Sequence, residues 1–353
     1  MRTLIRPTGF VDSPFGHDGK VARLAGGLSW FGQVELIHED GRRELVPVEG
    51  VEARFDEAMA ADWARLTSPR PPLQLGKRTI RLDQPQVMGI VNATPDSFSD
   101  GGAFADARSA AEAGAAMAAS GAAIVDVGGE STRPGAKPVW EGDEFERVLP
   151  IVQQLAGGGT AVSVDTRKAA VMEAALGAGA GMINDVSALT FDPRSVEVVA
   201  VAGAPVVLMH HQGDPQTMQD NPRYGDVLAE VYHWLEERVS TAEAAGIERA
   251  RILVDPGIGF GKTVAHNLEL LNGLALFHGL GCGLVVGASR KRMIGALANE
   301  APADQRLAGS LALALKAAEQ GAQIIRVHDV PETVQALKVW RGLKDQALTP
   351  RPA

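Results

Sequence analysis

The sequence predicts an α/β protein, a (β/α)₈ TIM barrel preceded by a small β-rich extension. From Gln86 onward, short apolar runs alternate with Gly- or Pro-rich turns and helical stretches. The runs are uniformly apolar, as strands covered on both faces are. Nearly every run also ends in a polar or ionisable residue. In a barrel those ends converge on one mouth, whereas an open doubly wound sheet would spread them along an edge.

The elements follow in order. Gln33-Val34-Glu35-Leu36-Ile37 and Leu45-Val46-Pro47-Val48, around the turn Glu39-Asp40-Gly41, read as a hairpin. A short helix is expected over about Asp56–Leu66, and Ser68-Pro69-Arg70-Pro71-Pro72 then reads as an extended linker. Eight strands follow: Val87–Val91, Ala123–Val127, Ala161–Val164, Met182–Val186, Val206–Met209, Ile252–Val254, Leu284–Val286 and Ile324–Val327. The stretch from Asp226 to about Ala245 carries Val227, Val231, Trp234, Leu235 and Val239 on one face and Glu230, Glu236 and Glu237 on another, the period of a helix covering a sheet. We therefore expect an extension over residues 1–85, a barrel over 86–345 and a tail over 346–353, with 86 to about 343 folding alone.

Composition narrows the function. A content of 45% hydrophobic and 22% charged residues in 353 describes a globular chain with a large core. The net charge of -9 disfavours nucleic acid and anionic lipid as partners, so an anionic ligand needs a local cluster of bases. One cysteine, Cys282, excludes an internal disulfide and multi-cysteine metal sites. The apolar stretch Val198–Met209 is too short to span a bilayer, and Arg2, Arg6 and Asp12 interrupt any signal-peptide core. A cytoplasmic location is expected.

The strand ends supply the chemistry. Asn92, Asp126, Asp165, Asn184, His210, Asp255, Ser289, Arg326 and His328 all follow or close apolar runs. Buried carboxylates are costly without donors, and Asp126, Asp165, Asp255 and Asn184 together suit the N–H edge of a planar heterocycle. Taken singly, each carboxylate is as readily a cap for the next helix. Arg326 and His328 flank Val327 and so share one side of a strand, an anion pocket to which Thr132, Arg133 and the amides around Gly128-Gly129 could add. Arg326 alternatively pairs with Asp329, and Lys291 either bonds a ligand heteroatom or closes a helix turn. Gly257-Ile258-Gly259-Phe260-Gly261-Lys262-Thr263 fails as a P-loop because Pro256 replaces the required glycine. Asn92-Ala93-Thr94 is a chance glycosylation sequon after a buried strand, and His210-His211 lacks any metal-site spacing.

Longer blocks carry a resemblance: Met88-Gly89-Ile90-Val91-Asn92-Ala93-Thr94-Pro95-Asp96-Ser97-Phe98-Ser99-Asp100-Gly101-Gly102, Asp126-Val127-Gly128-Gly129-Glu130-Ser131-Thr132-Arg133-Pro134-Gly135, Ser163-Val164-Asp165-Thr166, Ile183-Asn184-Asp185-Val186, Leu208-Met209-His210, Asp255-Pro256-Gly257-Ile258-Gly259-Phe260-Gly261-Lys262, Ser289-Arg290-Lys291 and Ile325-Arg326-Val327-His328-Asp329-Val330. Over about Gln86–Trp340 the chain resembles the dihydropteroate synthases, the pterin-binding barrels targeted by sulfonamides. The resemblance implies condensation of 6-hydroxymethyl-7,8-dihydropterin pyrophosphate with p-aminobenzoate, assisted by Mg²⁺. It implies that Asp165, Asn184, Asp255 and Lys291, with Asp126, Met209 and Gly259, contact the pterin side. Asn92, Thr132, Arg326 and His328 are implied for the pyrophosphate, and Phe260 and Ser289 for the p-aminobenzoate site. Asn92 and Asp100 are the implied Mg²⁺ ligands, and Thr132 and Arg133 belong to a second loop expected, like the first, to order around ligand. Asn92, Asp100, Thr132, Arg133, Lys291, Arg326 and His328 form the implied catalytic set.

Departures are few: Ala93, His211, and Arg167 and Ala169 where the family's helix often begins Ser-Lys-Pro. A pterin-dependent methyltransferase shares the barrel but does not need the Ser289-Arg290-Lys291 and Arg326-Val327-His328 blocks, and a non-catalytic homologue does not need the anion and Mg²⁺ residues. A homodimer is expected, with the extension taking part in self-association or covering the outside of the barrel.

Overall fold

The computed structural model describes residues 2–93, 102–131, 139–213 and 217–349, the side chains of 102–106 excepted. Asp100, Thr132 and Arg133, and most of the two loops expected to order on binding, lie outside the described residues.

The extension folds around its own core. Strands β1 (Leu4–Val11), β2 (Ala22–Arg23), β3 (Trp30–Ile37) and β4 (Arg43–Pro47) form an antiparallel sheet, β3 pairing with each of the others. The expected hairpin is β3–β4, while β1, whose Pro7 and Gly9 obscure its alternation, was not expected. Ile5, Phe31, Val34, Leu36 and Val46 meet Met59 and Leu66 of helix α1 (Glu57–Thr67), whose N-cap Asp56 accepts from Met59 N. This core closes against the barrel at Ala275. Arg2 strengthens the contact by pairing with buried Asp62 and with Glu236 on the barrel's flank.

The linker reading is corrected. Arg70 is buried, and its guanidinium donates to the carbonyls of Cys282 (2.9 Å) and His278 (2.8 Å) in the barrel and of Arg65 and Ser68 beside it. A loose segment would leave those carbonyls bare. A second hairpin follows, β5 (Leu73–Leu75) and β6 (Arg78–Ile80).

The barrel comprises β7 (Gln86–Asn92), β8 (Ile124–Gly128), β9 (Val162–Asp165), β10 (Met182–Asp185), β11 (Val206–Met209), β12 (Ile252–Asp255), β13 (Gly283–Val286) and β14 (Ile324–Val327). Each pairs in parallel with the next, and β14 closes on β7. All eight expected strands are present, shifted by at most one residue at an end. Around them run α2 (Gly102–Ala119), α3 (Glu141–Gly157), α4 (Ala169–Gly177), α5 (Ser195–Ala202), α6 (Val227–Ala244), α7 (Val264–Asn272), a 3₁₀ turn at Leu274–Leu280, α8 (Arg292–Leu297), α9 (Leu307–Glu319) and α10 (Val330–Ala347). Helix α6 is the expected amphipathic one, with Asp226 as its N-cap.

One apolar cluster fills the floor of the barrel. It joins Met88, Ile124, Met182, Val207, Leu253, Val285 and Ile324 from the strands to Leu73, Leu75, Ile80 and Leu82 of the hairpin segment. The hairpin is thus a plug under the strands' N-terminal ends. The boundary expected at Gln86 runs through this core.

Candidate active site at the barrel mouth

The strands' C-terminal ends gather the functional side chains because register places them side by side. Asn184 on β10 is the cross-strand neighbour of Asp165 on β9, and Met209 on β11 that of Asp255 on β12. Gly128 lies between Asn92 and Asp165 in the same way.

Asp126 is fully buried: its Oδ2 accepts from Asn184 Nδ2 (3.0 Å) and Arg326 Nε (2.6 Å), and its Oδ1 meets no donor among the described residues. Arg326 also donates through NH2 to Asp165 Oδ2 at 2.8 Å. Burial pushes the Asp165 carboxyl up to about 7, Arg326 opposing the rise. Burial alone would depress Arg326, but Asp126 and Asp165 lift it above its ordinary value. Asp255 Oδ1 accepts from Gly257 N at 2.7 Å, and burial raises this carboxyl too.

Gly257 and Gly259 shape the turn beneath this cluster, with φ of 67° and 86°. A Cβ on Gly257 would lie 1.8 Å from the His210 carbonyl oxygen, so no other residue fits. At Gly259 the backbone passes close under Lys291, whose Nζ stands 4.1 Å from the centroid of the Phe260 ring. Lys262 from the same turn donates to the Phe260 carbonyl and lies 2.8 Å from His210 Nδ1. Burial brings Lys262 down to about 7 and His210 to about 2, so His210 is a neutral histidine satisfied by Lys262.

On the other side, Ser289 Oγ accepts from His328 N (3.2 Å) and lies 3.1 Å from His328 Nδ1. Arg290 takes Asp329 in a two-point ion pair. Arg326 and His328, expected to share an anion pocket, make different contacts within the protein. Arg326 turns to Asp126 and Asp165, because two buried carboxylates are costly without a cation between them, while His328 turns to Ser289. Beside the cluster lies a cavity of about 310 Å³ whose wall includes Arg167, Phe191, Met209, His211 and Phe260.

Residues 88–328 match the family model described as pterin binding enzyme. The dihydropteroate synthase of Escherichia coli (strain K12) is 50% identical over 262 residues, 74% of this chain and 92% of that protein. The chain belongs to the dihydropteroate synthase family. A solved member, the Xanthomonas albilineans dihydropteroate synthase with 4-aminobenzoic acid, is 48% identical with a TM-score of 0.74, covering 79% of this chain and all of that one. The same organism's synthase in complex with 7,8-dihydropteroate is 45% identical, with a TM-score of 0.71 over the same shares.

The mouth of this dihydropteroate synthase family barrel holds more charge than the sequence suggested. Glu130, Glu144, Arg167 and Lys168 meet in a buried cluster behind the carboxylates. Glu130 lies within a quoted block and Arg167 is one of the departures, but nothing in the spacing joins them. The magnesium expectation meets a sparse donor set. Among the described residues no group of three or more His, Cys, Asp or Glu is placed to hold a metal, and Asn92 is the only expected ligand described. One amide oxygen does not hold Mg²⁺ by itself.

Proposed function

We infer that the protein is a dihydropteroate synthase: it joins 6-hydroxymethyl-7,8-dihydropterin pyrophosphate to p-aminobenzoate, releasing pyrophosphate. The observation that carries the reading is the pairing of Arg326 with Asp126 and Asp165, beside the further acceptors Asn184 and Asp255, at the mouth of a barrel whose relatives are synthases. Asp255 and Asn184 take the N–H edge of the pterin, with Asp165 and Lys291 beside them and Met209 and Gly259 lining the space. Phe260 and Ser289 border the p-aminobenzoate.

The amine nitrogen attacks the methylene carbon, the carbon–oxygen bond to pyrophosphate breaks, and the amine gives up a proton. An arylamine is already a free nucleophile at neutral pH, so the residues orient it and stabilise the departing charge. Asn92 and His328 serve the pyrophosphate, together with Thr132, Arg133 and Asp100 from outside the described residues. Arg326 contributes through NH1, which makes no hydrogen bond among the described residues. Asn92 and Asp100 would hold Mg²⁺ near the pyrophosphate, and the ion would supply positive charge to offset that of the leaving group. The protein acts as a homodimer in the cytoplasm on this reading. The exposed Leu297, Val339 and Leu343 of α8 and α10 support the first part, and the buried lone cysteine the second.

The test is pyrophosphate release with and without p-aminobenzoate. Release that depends on p-aminobenzoate is expected. Asp255→Ala should weaken binding of 6-hydroxymethylpterin by roughly tenfold to a hundredfold, as loss of a hydrogen bond to a charged group of about 1.5–3 kcal/mol requires. Release indifferent to p-aminobenzoate would overturn the reading.

A further inference from the structure

Four charged side chains that the reaction leaves unused are buried together. Lys168 Nζ donates to Glu130 Oε2 at 2.7 Å and to Glu144 Oε2, and Arg167 NH2 donates to Glu130 Oε1 at 2.9 Å. The amide of Val139 donates to that same Oε1 at 3.3 Å. Glu130 and Val139 lie on either side of residues 132–138, so one carboxylate fastens both flanks to the turn after β9, which begins just beyond Asp165.

Arg167 extends the fastening one strand further. Its guanidinium lies 4.1 Å from the centroid of the Phe191 ring, which belongs to the turn after β10. Arg167 and Phe191 line the cavity with Met209 and Phe260. Arg167 Nε is sealed from solvent with no acceptor among the described residues, and NH2 is held by Glu130. The side chain is therefore committed mainly to the protein. Burying two cations and two carboxylates is poor economy if stability alone is served, because well-packed apolar residues do as well or better. What such a cluster does supply is a fixed geometry.

We propose that Arg167 is a positioning residue: held by Glu130, it sets Phe191 and thereby the wall of the cavity next to Phe260, where the arylamine binds. The proposal rests on the synthase reading. Its signature is a split between kinetic constants, since the wall shapes the arylamine's site while Asp126, Asp165, Asn184 and Asp255 hydrogen-bond to groups other than Arg167.

The experiment uses the full chain and varies p-aminobenzoate at saturating pterin substrate, with calorimetry of 6-hydroxymethylpterin alongside. Arg167→Ser should raise KM for p-aminobenzoate about tenfold, leaving kcat and bare-pterin affinity within about twofold. Phe191→Ala should do the same, and the double variant should add little to either, because both remove one contact. Arg167→Lys keeps the charge and the reach to Glu130 but not the flat stacking, and should give an intermediate KM even where Arg167→Ser folds poorly. An active wild type with unchanged KM in Arg167→Lys and Phe191→Ala, or fully additive effects, would overturn the proposal. A wild type without p-aminobenzoate-dependent release overturns the synthase reading itself and this proposal with it.

Discussion

Asp165 shows how far burial, with other carboxylates nearby, moves a side chain even beside a cation. With its pKa pushed up to about 7 from 3.8, the folded protein retains a proton that the unfolded chain has lost across roughly pH 4 to 7. That stabilising protonation is present below the ordinary value and disappears as pH rises through about 7. Asp185, pushed up to about 6, adds to the same slope. Chemical denaturation should therefore show wild-type stability falling from pH 5 to pH 8 more steeply than that of Asp165→Asn; parallel curves would contradict the assignment. Cys282 is the opposite case in consequence. Burial pushes its thiol up to about 12, so iodoacetamide should label it only after denaturation. These residues were legible as types in the sequence. Their ionisation was not, because it depends on burial and on partners that only the fold brings close, such as Arg326, 161 positions from Asp165, and Arg70, 212 positions from Cys282.

At the scale of elements, the strands were readable because each is a short apolar run ended by a polar residue. Helix α6 was readable from its apolar period, and the structure adds that Asp56 and Asp226 cap α1 and α6. Segment 68–72 was misread because proline-rich sequence has the same local signal whether it floats or is pinned. The pin is Arg70, whose donors reach carbonyls about 210 residues away. Arg70→Ala strips several buried carbonyls of their donor and should destabilise the protein by about 2–4 kcal/mol in urea unfolding, with Arg70→Lys recovering only part. A change below 0.5 kcal/mol would mean that the contacts to the barrel carry no weight.

For the whole molecule, the question is where the barrel ends. Leu73, Leu75, Ile80 and Leu82 share one core with the strand residues, and burial of each such side chain is worth about 1.5–3 kcal/mol. A chain starting at Ser68 should unfold cooperatively, whereas one starting at Gln86 should expose the barrel floor and show no sharp transition by calorimetry. Equal transitions in both would restore the boundary expected at Gln86. The extension contributes differently. Arg43 on β4 pairs with Asp226, the N-cap of α6, at 2.6 Å, and with Glu269 on α7, so the hairpin steadies helices that frame the mouth.

By itself, the sequence determined the barrel, its strand order and the cast of residues at the mouth, since a repeating apolar period and polar strand ends are local signals that survive without a partner. It did not determine whom each of those residues meets. Arg326 bonds Asp126 and Asp165, His328 meets Ser289, and Glu130 gathers Arg167 and Lys168, because closing the barrel brings distant strand ends within hydrogen-bonding reach and buried charge settles where it is neutralised. The hairpin's place under the barrel is likewise a tertiary decision: its leucines announce that they will be buried, and only the open floor of the barrel says where.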